Sequence, residues 1–404
     1  MDLDQLAALR TPEGSAALAA ATEVAGGDPL AAAAALRSAG VPGGLAAAAL
    51  TQAELRRRAA VKFGPAAAGM FLTRPGLEQA TRGVVSARRA RRLRAAGVRT
   101  LADLGCGLGA DALAAARAGI RVYGVEADPL TAAMAAANAE AAGLADLFTV
   151  ECGDATEFDV SRVDAAFCDP ARRRAGTGRR IFDPNAYSPP WGFVVRLAER
   201  VPYTVVKVAP GLDHALIPAG AEAEWVSVDG DLVEAALWCG RLAEVPRRAT
   251  LLKEWPPVDA SGSEGPPAHQ LTGSGAAEAP VGPVRRYVHD PDPAVVRAHL
   301  VAELANVLGA TLADPSIAYL YADAPAATPF ARCLEVTDVL PFSLKRLRAL
   351  LRERRVGRVE ILKRGSALEP ERLRRDLRLA GPEAASLVLT RVADAPTVLV
   401  CRPV

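Results

Sequence analysis

Hydrophobic and polar positions change rhythm several times along the 404-residue chain. Residues 1–60 read as short Ala/Leu helices separated by Gly14, by Gly26-Gly27-Asp28-Pro29 and by Gly40-Val41-Pro42-Gly43-Gly44. This pattern predicts a small helical cap, better suited to a packing lid than to a separate recognition module. Thr73–Leu77, with Pro75 near the first helical position, starts a helix expected to run to about Ala96. From Val98 to Leu242, short apolar runs near 98–103, 120–125, 147–151, 164–169, 202–208, 223–229 and 234–240 alternate with helical stretches. The last two runs are joined by Asp229-Gly230-Asp231, a turn that makes them antiparallel neighbours. Such alternation predicts an α/β fold, a largely parallel sheet with helices on both faces. Glu254–Pro283 is rich in proline and nearly free of periodic apolar positions, as a loop or linker would be. The alternation then resumes, with helices over 295–308, 343–353 and 369–379 and strands over 317–321, 331–336, 356–362, 386–392 and 397–401. Four parts follow: a cap with its lead-in helix (1–96), a first α/β domain (97–253), a linker (254–283) and a smaller α/β domain (284–404).

Composition alters this picture little. Half of the residues are apolar, enough for a substantial core, and no Ala-rich run reaches the length of a membrane span. Met1-Asp2-Leu3-Asp4 opens acidic, unlike a secretory signal, so the expected location is the cytoplasm, without a membrane partner. The six cysteines are scattered, with no Cys-x-x-Cys pair or His cluster to suggest a metal site or a disulfide framework. Charge matters more locally than in total. The formal net charge is only +2, yet 345–378 carries 13 Lys/Arg against five Asp/Glu, and arginines also crowd 82–99 and 172–180.

The chemistry concentrates in Asp103-Leu104-Gly105-Cys106-Gly107-Leu108-Gly109-Ala110-Asp111, a strand-to-helix turn. Its glycines let a ligand press against bare backbone, while the first helical turn offers unpaired N–H groups. Gly105-x-Gly107-x-x-Ala110 also satisfies a dinucleotide fingerprint, with Glu126 at the spacing of its ribose-binding acid. Asp103 separates the two readings, because a carboxylate there suits a ligand bearing an ammonium group and repels a pyrophosphate.

Asp103–Gly109 resembles the first motif of class I S-adenosylmethionine-dependent methyltransferases, and three later landmarks agree in order. Ile120–Glu126 resembles the family's second strand, Cys152-Gly153-Asp154-Ala155 its adenine-reading loop, and Ala166-Phe167-Cys168-Asp169-Pro170 its fourth strand and catalytic loop. The resemblance implies a seven-stranded Rossmann-like sheet with S-adenosylmethionine as cofactor. It also implies that Asp103 lies near the methionine ammonium, Glu126 on the ribose and Asp154 on the adenine amino group. Gly105, Cys106, Gly107, Gly109, Asp111, Ala127, Ala155 and Asp169 complete the expected cofactor set, with Asp111 the weakest member. Asp169 and Pro170 would stand at the chemistry. In amino-methylating relatives that loop reads Asp/Asn-Pro-Pro-aromatic; here Asp169-Pro170-Ala171-Arg172 lacks the second proline and the aromatic ring.

The arginines that follow, Arg172, Arg173, Arg174, Arg179 and Arg180, suit a phosphate-bearing substrate, and Phe182, Tyr187 or Trp191 could supply the stacking surface. Phe63, Phe71 and Thr73, ahead of the first strand, either wall the ligand pocket or simply pack in the core. The domain at 284–404 resembles a THUMP-type RNA-binding domain, and the whole chain resembles a bacterial methyltransferase group carrying such a domain at this end. These features together lead to the expectation of an RNA methyltransferase acting on tRNA or rRNA at a base nitrogen. Rival readings are a small-molecule methyltransferase, a non-catalytic RNA-binding protein on the same fold, and a dehydrogenase.

Overall fold

A computed structural model describes residues 1–170, 187–254 and 268–404. They form two units. The first comprises 1–222, 235–244 and 252–267; the second comprises 223–234, 245–251 and 268–404.

The first unit opens with helices α1 (Leu3–Leu9), α2 (Pro12–Val24), α3 (Pro29–Ser38) and α4 (Gly43–Phe63). Asp2, Thr11 and Asp28 cap the first three, each accepting hydrogen bonds from N–H groups of the first turn. Leu6, Leu9, Leu18 and Leu36 are buried in the same core as Leu113 and Met134 of the α/β layer, so the cap shares that layer's core. After α5 (Arg74–Gln79), α6 (Gly83–Ala95), β1 (Thr100–Leu104), α7 (Ala110–Arg117), β2 (Arg121–Glu126), α8 (Pro129–Ala141), β3 (Phe148–Cys152), β4 (Ala165–Cys168), α9 (Trp191–Arg200) and β5 (Tyr203–Val208) come β6 (Glu222–Val228) and β7 (Asp231–Gly240). The strand order β3-β2-β1-β4-β5-β7-β6 holds the seven strands expected, parallel from β3 to β5 and reversed at β7, with most of β6 counted in the second unit; β8 (Arg247–Leu252) and β9 (His269–Gly273) extend the sheet to nine strands. All four residues of β4 are buried, as suits a parallel sheet covered on both faces.

The helix expected from Thr73 to Ala96 is instead two helices. Ala80 and Arg82 have extended backbone, and Lys62 Nζ takes the carbonyls of Leu77 (2.6 Å), Glu78 (3.0 Å) and Ala80 (3.1 Å). A half-buried ammonium therefore ends α5, which local propensity does not reveal. The second unit holds strands that apolar runs did not announce, β8 (Arg247–Leu252), β9 (His269–Gly273) and β10 (Tyr287–Pro291), so β9 stands inside the stretch expected as linker. Residues 255–267 lie outside the described residues.

In the second unit follow α10 (Pro293–Arg297), α11 (Val301–Leu308), β11 (Thr311–Leu312), β12 (Leu320–Ala322), β13 (Ala331–Pro341), α12 (Leu344–Glu353), β14 (Val356–Lys363), α13 (Pro370–Leu377), β15 (Glu383–Val392) and β16 (Ala395–Pro403). The helix expected over 295–308 breaks at His299, whose φ is +59°. β10 to β16 form a seven-stranded sheet in the order β11-β12-β10-β13-β16-β15-β14. Leu347 and Leu351 of α12 and Leu373 and Leu377 of α13 bury one apolar edge each against Leu387, Leu389, Val398 and Val400, leaving the charged edges outward.

Candidate active site

The carboxyl ends of β1, β2, β3 and β4 lie along one rim, because the strands are parallel and nearly in step: Leu104 pairs with Val125 and with Cys168, and Glu126 with Cys152. Asp103, Glu126, Asp154 and Asp169 are brought to that rim, as the sequence leads one to expect. Gly105, Gly107 and Gly109 turn the chain from β1 into α7 with φ of +90°, +55° and +82°, values open to glycine and costly for other residues. Gly109 caps α7 and lies so close to Phe148 that an added Cβ would meet the ring at 2.8 Å, whereas no described residue lies within 4 Å of the Cβ position at Gly107.

Each acid has its own surroundings. Asp103 is 1 % exposed, and neither of its oxygens has a hydrogen-bond partner among the described residues. Burial pushes its carboxyl well above the usual range, reinforced by Asp111 and Asp169 and opposed by Arg89 and Lys207. Glu126 turns toward the glycine loop: the Gly107 N–H donates to Oε2 and the Asp128 N–H to Oε1, both at 3.0 Å, leaving lone pairs for hydroxyl donors. Asp154 Oδ1 accepts from the Thr156 N–H and hydroxyl, both at 2.8 Å, and these bonds hold its exposed carboxyl below the usual range. Asp169 is ion-paired through Oδ2 with Lys207 Nζ at 2.7 Å.

Asp111 is paired with the buried guanidinium of Arg89, which itself lies 4.6 Å from the centre of the Phe167 ring. Cys106 contributes backbone, its N–H donating to Val125 O at 3.0 Å, while its thiol is buried and its pKa raised by desolvation. Cys168 is fully buried, a core side chain as its strand suggests. Ala127 and Ala155 flank the rim in the turns after β2 and β3.

Ahead of β1, Phe71 is 7 % exposed and has the Arg56 guanidinium 5.3 Å from its ring centre, so it packs in the core; Thr73 caps α5. That segment is bound to the glycine loop by Asn138, a side chain the sequence reading missed. Its Oδ1 accepts from the Phe71 N–H at 2.6 Å, and its Nδ2 donates to Phe71 O at 3.1 Å and Leu108 O at 3.0 Å. Lys207 was missed as well. Arg172, Arg173, Arg174, Arg179, Arg180 and Phe182 lie outside the described residues. Tyr187 is half-buried, but Trp191 is the first residue of α9 and only 8 % exposed, which removes it as an exposed stacking surface. Among the described residues no cluster of His, Cys, Asp and Glu could hold a metal, and no helix is long and apolar enough to cross a membrane.

An orphaned buried carboxylate beside a glycine turn fits a cationic amine, and an acid on the loop backbone fits a ribose. These residues therefore fit S-adenosylmethionine. A bound pyrophosphate would meet Asp103 instead.

Comparison with known proteins agrees. Residues 101–173 match a methyltransferase domain family, 331–403 match the family described as THUMP domain-like, and 2–59 match a domain of unknown function, DUF8688. Proteins from two strains of Mycobacterium tuberculosis, each described as an uncharacterized S-adenosylmethionine-dependent methyltransferase, are 36 % identical over 364 residues, 86 % of this chain and 95 % of theirs. A crystal structure from Porphyromonas gingivalis W83, described as a candidate methyltransferase, shares the fold with a TM-score of 0.74 and 21 % identity, covering 99 % of this chain and 98 % of that one.

Proposed function

The chain belongs to the S-adenosylmethionine-dependent methyltransferases with a THUMP-like C-terminal domain, and from that premise we propose that it methylates RNA at a base nitrogen. When bound, S-adenosylmethionine supplies an electrophilic methyl group on a sulfonium. The protein's task is to fix the cofactor and align the acceptor in line with that methyl. Asp103 takes the ammonium, Glu126 the ribose hydroxyls and Asp154, through Oδ2, the adenine amino group. Asp169, beside Asp103 on the rim because β4 pairs with β1, takes an N–H of the acceptor, and Pro170 restricts the backbone next to it.

The observation that carries the RNA reading is the unbalanced charge of the THUMP-like region. Lys345, Arg346, Arg352, Arg355, Arg375 and Arg378 are exposed, with no ion-pair partner among the described residues. Unpaired cations on adjoining helices suit a phosphate backbone, which gives affinity while the rim selects the atom. Transfer of a labelled methyl group from S-adenosylmethionine to total RNA from a strain lacking the protein tests this. One RNA species should take up label with the wild type and none with Asp169→Ala. Label confined to small molecules would refute the RNA assignment.

A further inference from the structure

Lys207 has no role in any of the motifs above, yet it stands beside the rim, on β5 next to β4. On the paired strands β4 and β5, Cys168 stands opposite Val206, so Asp169 and Lys207 are the next residues along each. Lys207 is 11 % exposed, and its Nζ donates to Asp169 Oδ2 at 2.7 Å and to the Gln79 carbonyl at 3.4 Å. Gln79 ends α5, whose neighbouring carbonyls are held by Lys62 of α4, and Lys207 ties that end to the rim. Other charges converge there: Asp103 from β1, Asp111 and its partner Arg89 from α7 and α6, and Arg82, which with Lys207 opposes the charge on Lys62. Burying an ammonium costs less when a carboxylate pairs with it, and Asp169 supplies that pair here. The pairing uses one oxygen of Asp169; Oδ1 has no partner among the described residues.

Resting on the reading that Asp169 meets the acceptor nitrogen, we propose that Lys207 is the positioning residue of the reaction: it fixes the Asp169 side chain through Oδ2 so that Oδ1 accepts the acceptor N–H. A lone carboxylate could rotate and turn that oxygen away. The ammonium blocks this. It also couples the Gln79 turn to the catalytic loop.

The test compares wild type, Lys207→Met and Lys207→Arg in three measurements. Calorimetric binding of S-adenosylhomocysteine should stay within about threefold of wild type, which shows an intact fold and cofactor site. Methyl transfer to total RNA should fall about a hundredfold in kcat for Lys207→Met, with KM little changed, and recover in part in Lys207→Arg. Amide hydrogen exchange should quicken in the peptides that hold Gln79–Arg82 and Cys168–Pro170 in Lys207→Met and stay near wild type in Lys207→Arg, because Lys207 joins the two. Unchanged kcat and unchanged exchange in Lys207→Met would overturn the proposal while leaving the RNA reading intact. If the wild type transfers no methyl to RNA, that reading falls separately, and the exchange measurement alone decides the role of Lys207: unaltered exchange in both peptides refutes it.

Discussion

Asp103→Asn separates what the rim costs the fold from what it gains for the ligand. In the ligand-free protein the carboxyl is 1 % exposed, without a hydrogen-bond partner among the described residues, and burial holds its pKa well above the usual range. An acid whose pKa is raised on folding favours the folded state below its unfolded pKa. That advantage is lost as pH rises through the interval up to the folded value. At neutral pH the wild type therefore carries a penalty that asparagine, nearly the same shape but neutral, does not. Thermal denaturation should show ligand-free Asp103→Asn more stable than wild type near pH 7–8, the difference shrinking toward pH 4. Ligand binding should move the other way. A charge-assisted hydrogen bond from an ammonium contributes about 1.5–3 kcal/mol, so the variant should bind S-adenosylhomocysteine roughly 10- to 150-fold more weakly. Wild-type affinity should fall on acidification while that of Asp103→Asn stays flatter, and the wild-type binding enthalpy should vary with the ionisation enthalpy of the buffer as a proton leaves. Equal affinity in the two proteins, together with no gain in stability, would refute the argument that this carboxylate waits for a cation.

Three further outcomes follow from the same geometry. Asn138→Ala removes three buried hydrogen bonds between α8, Phe71 and Leu108, and should lower stability by about 2–4 kcal/mol while weakening cofactor binding, read by denaturant titration and calorimetry. Gly109→Ala should cost about 1–3 kcal/mol through its φ of +82° and the Phe148 clash, whereas Gly107→Ala, with no described residue near its Cβ, should cost only the strain of its φ of +55°, about 1 kcal/mol, and should weaken S-adenosylhomocysteine binding, read by denaturant titration and calorimetry. Replacing Arg352, Arg355 and Arg375 together by alanine should reduce RNA affinity and flatten the slope of log affinity against log salt by about 0.7–0.9 for each phosphate no longer neutralised, without lowering the melting temperature.

Where neighbouring residues along the chain decide a structure, the sequence discloses it. The glycine turn, the acids that end each strand and the reversed seventh strand are all local consequences of spacing, and they occur as read. What stayed hidden depends on partners distant in sequence. Lys62 ends α5 by reaching across to three carbonyls, so propensity alone joins α5 to α6. Asn138 stands in an alanine run, Ala135-Ala136-Ala137-Asn138-Ala139, and is 2 % exposed; a lone amide among alanines was the available signal. The same holds for Lys207, the one charge in the otherwise uncharged run Tyr203–Gly211. β8 begins Arg247-Arg248, which reads as surface, although Arg248 is buried and bonded to Gln270 of the neighbouring strand.

Four acids on one rim would repel one another if they shared an environment, and the fold prevents this by giving each a different one. Asp103 is stripped of solvent and partners, so a cation is what completes it. Glu126 is fixed by two backbone N–H groups and left with lone pairs that suit hydroxyl donors. Asp154 is exposed and turned by its own threonine, presenting one oxygen to solvent and to an amino group. Asp169 alone is clamped by a lysine, which suits a group that must accept a hydrogen bond at a fixed angle. Dispersed in this way along β3-β2-β1-β4, the acids Asp154, Glu126, Asp103 and Asp169 stand in the order that the proposed roles require, for adenine, ribose, ammonium and acceptor. That is why exchanging any two of their surroundings should damage the enzyme more than replacing one carboxylate by its amide.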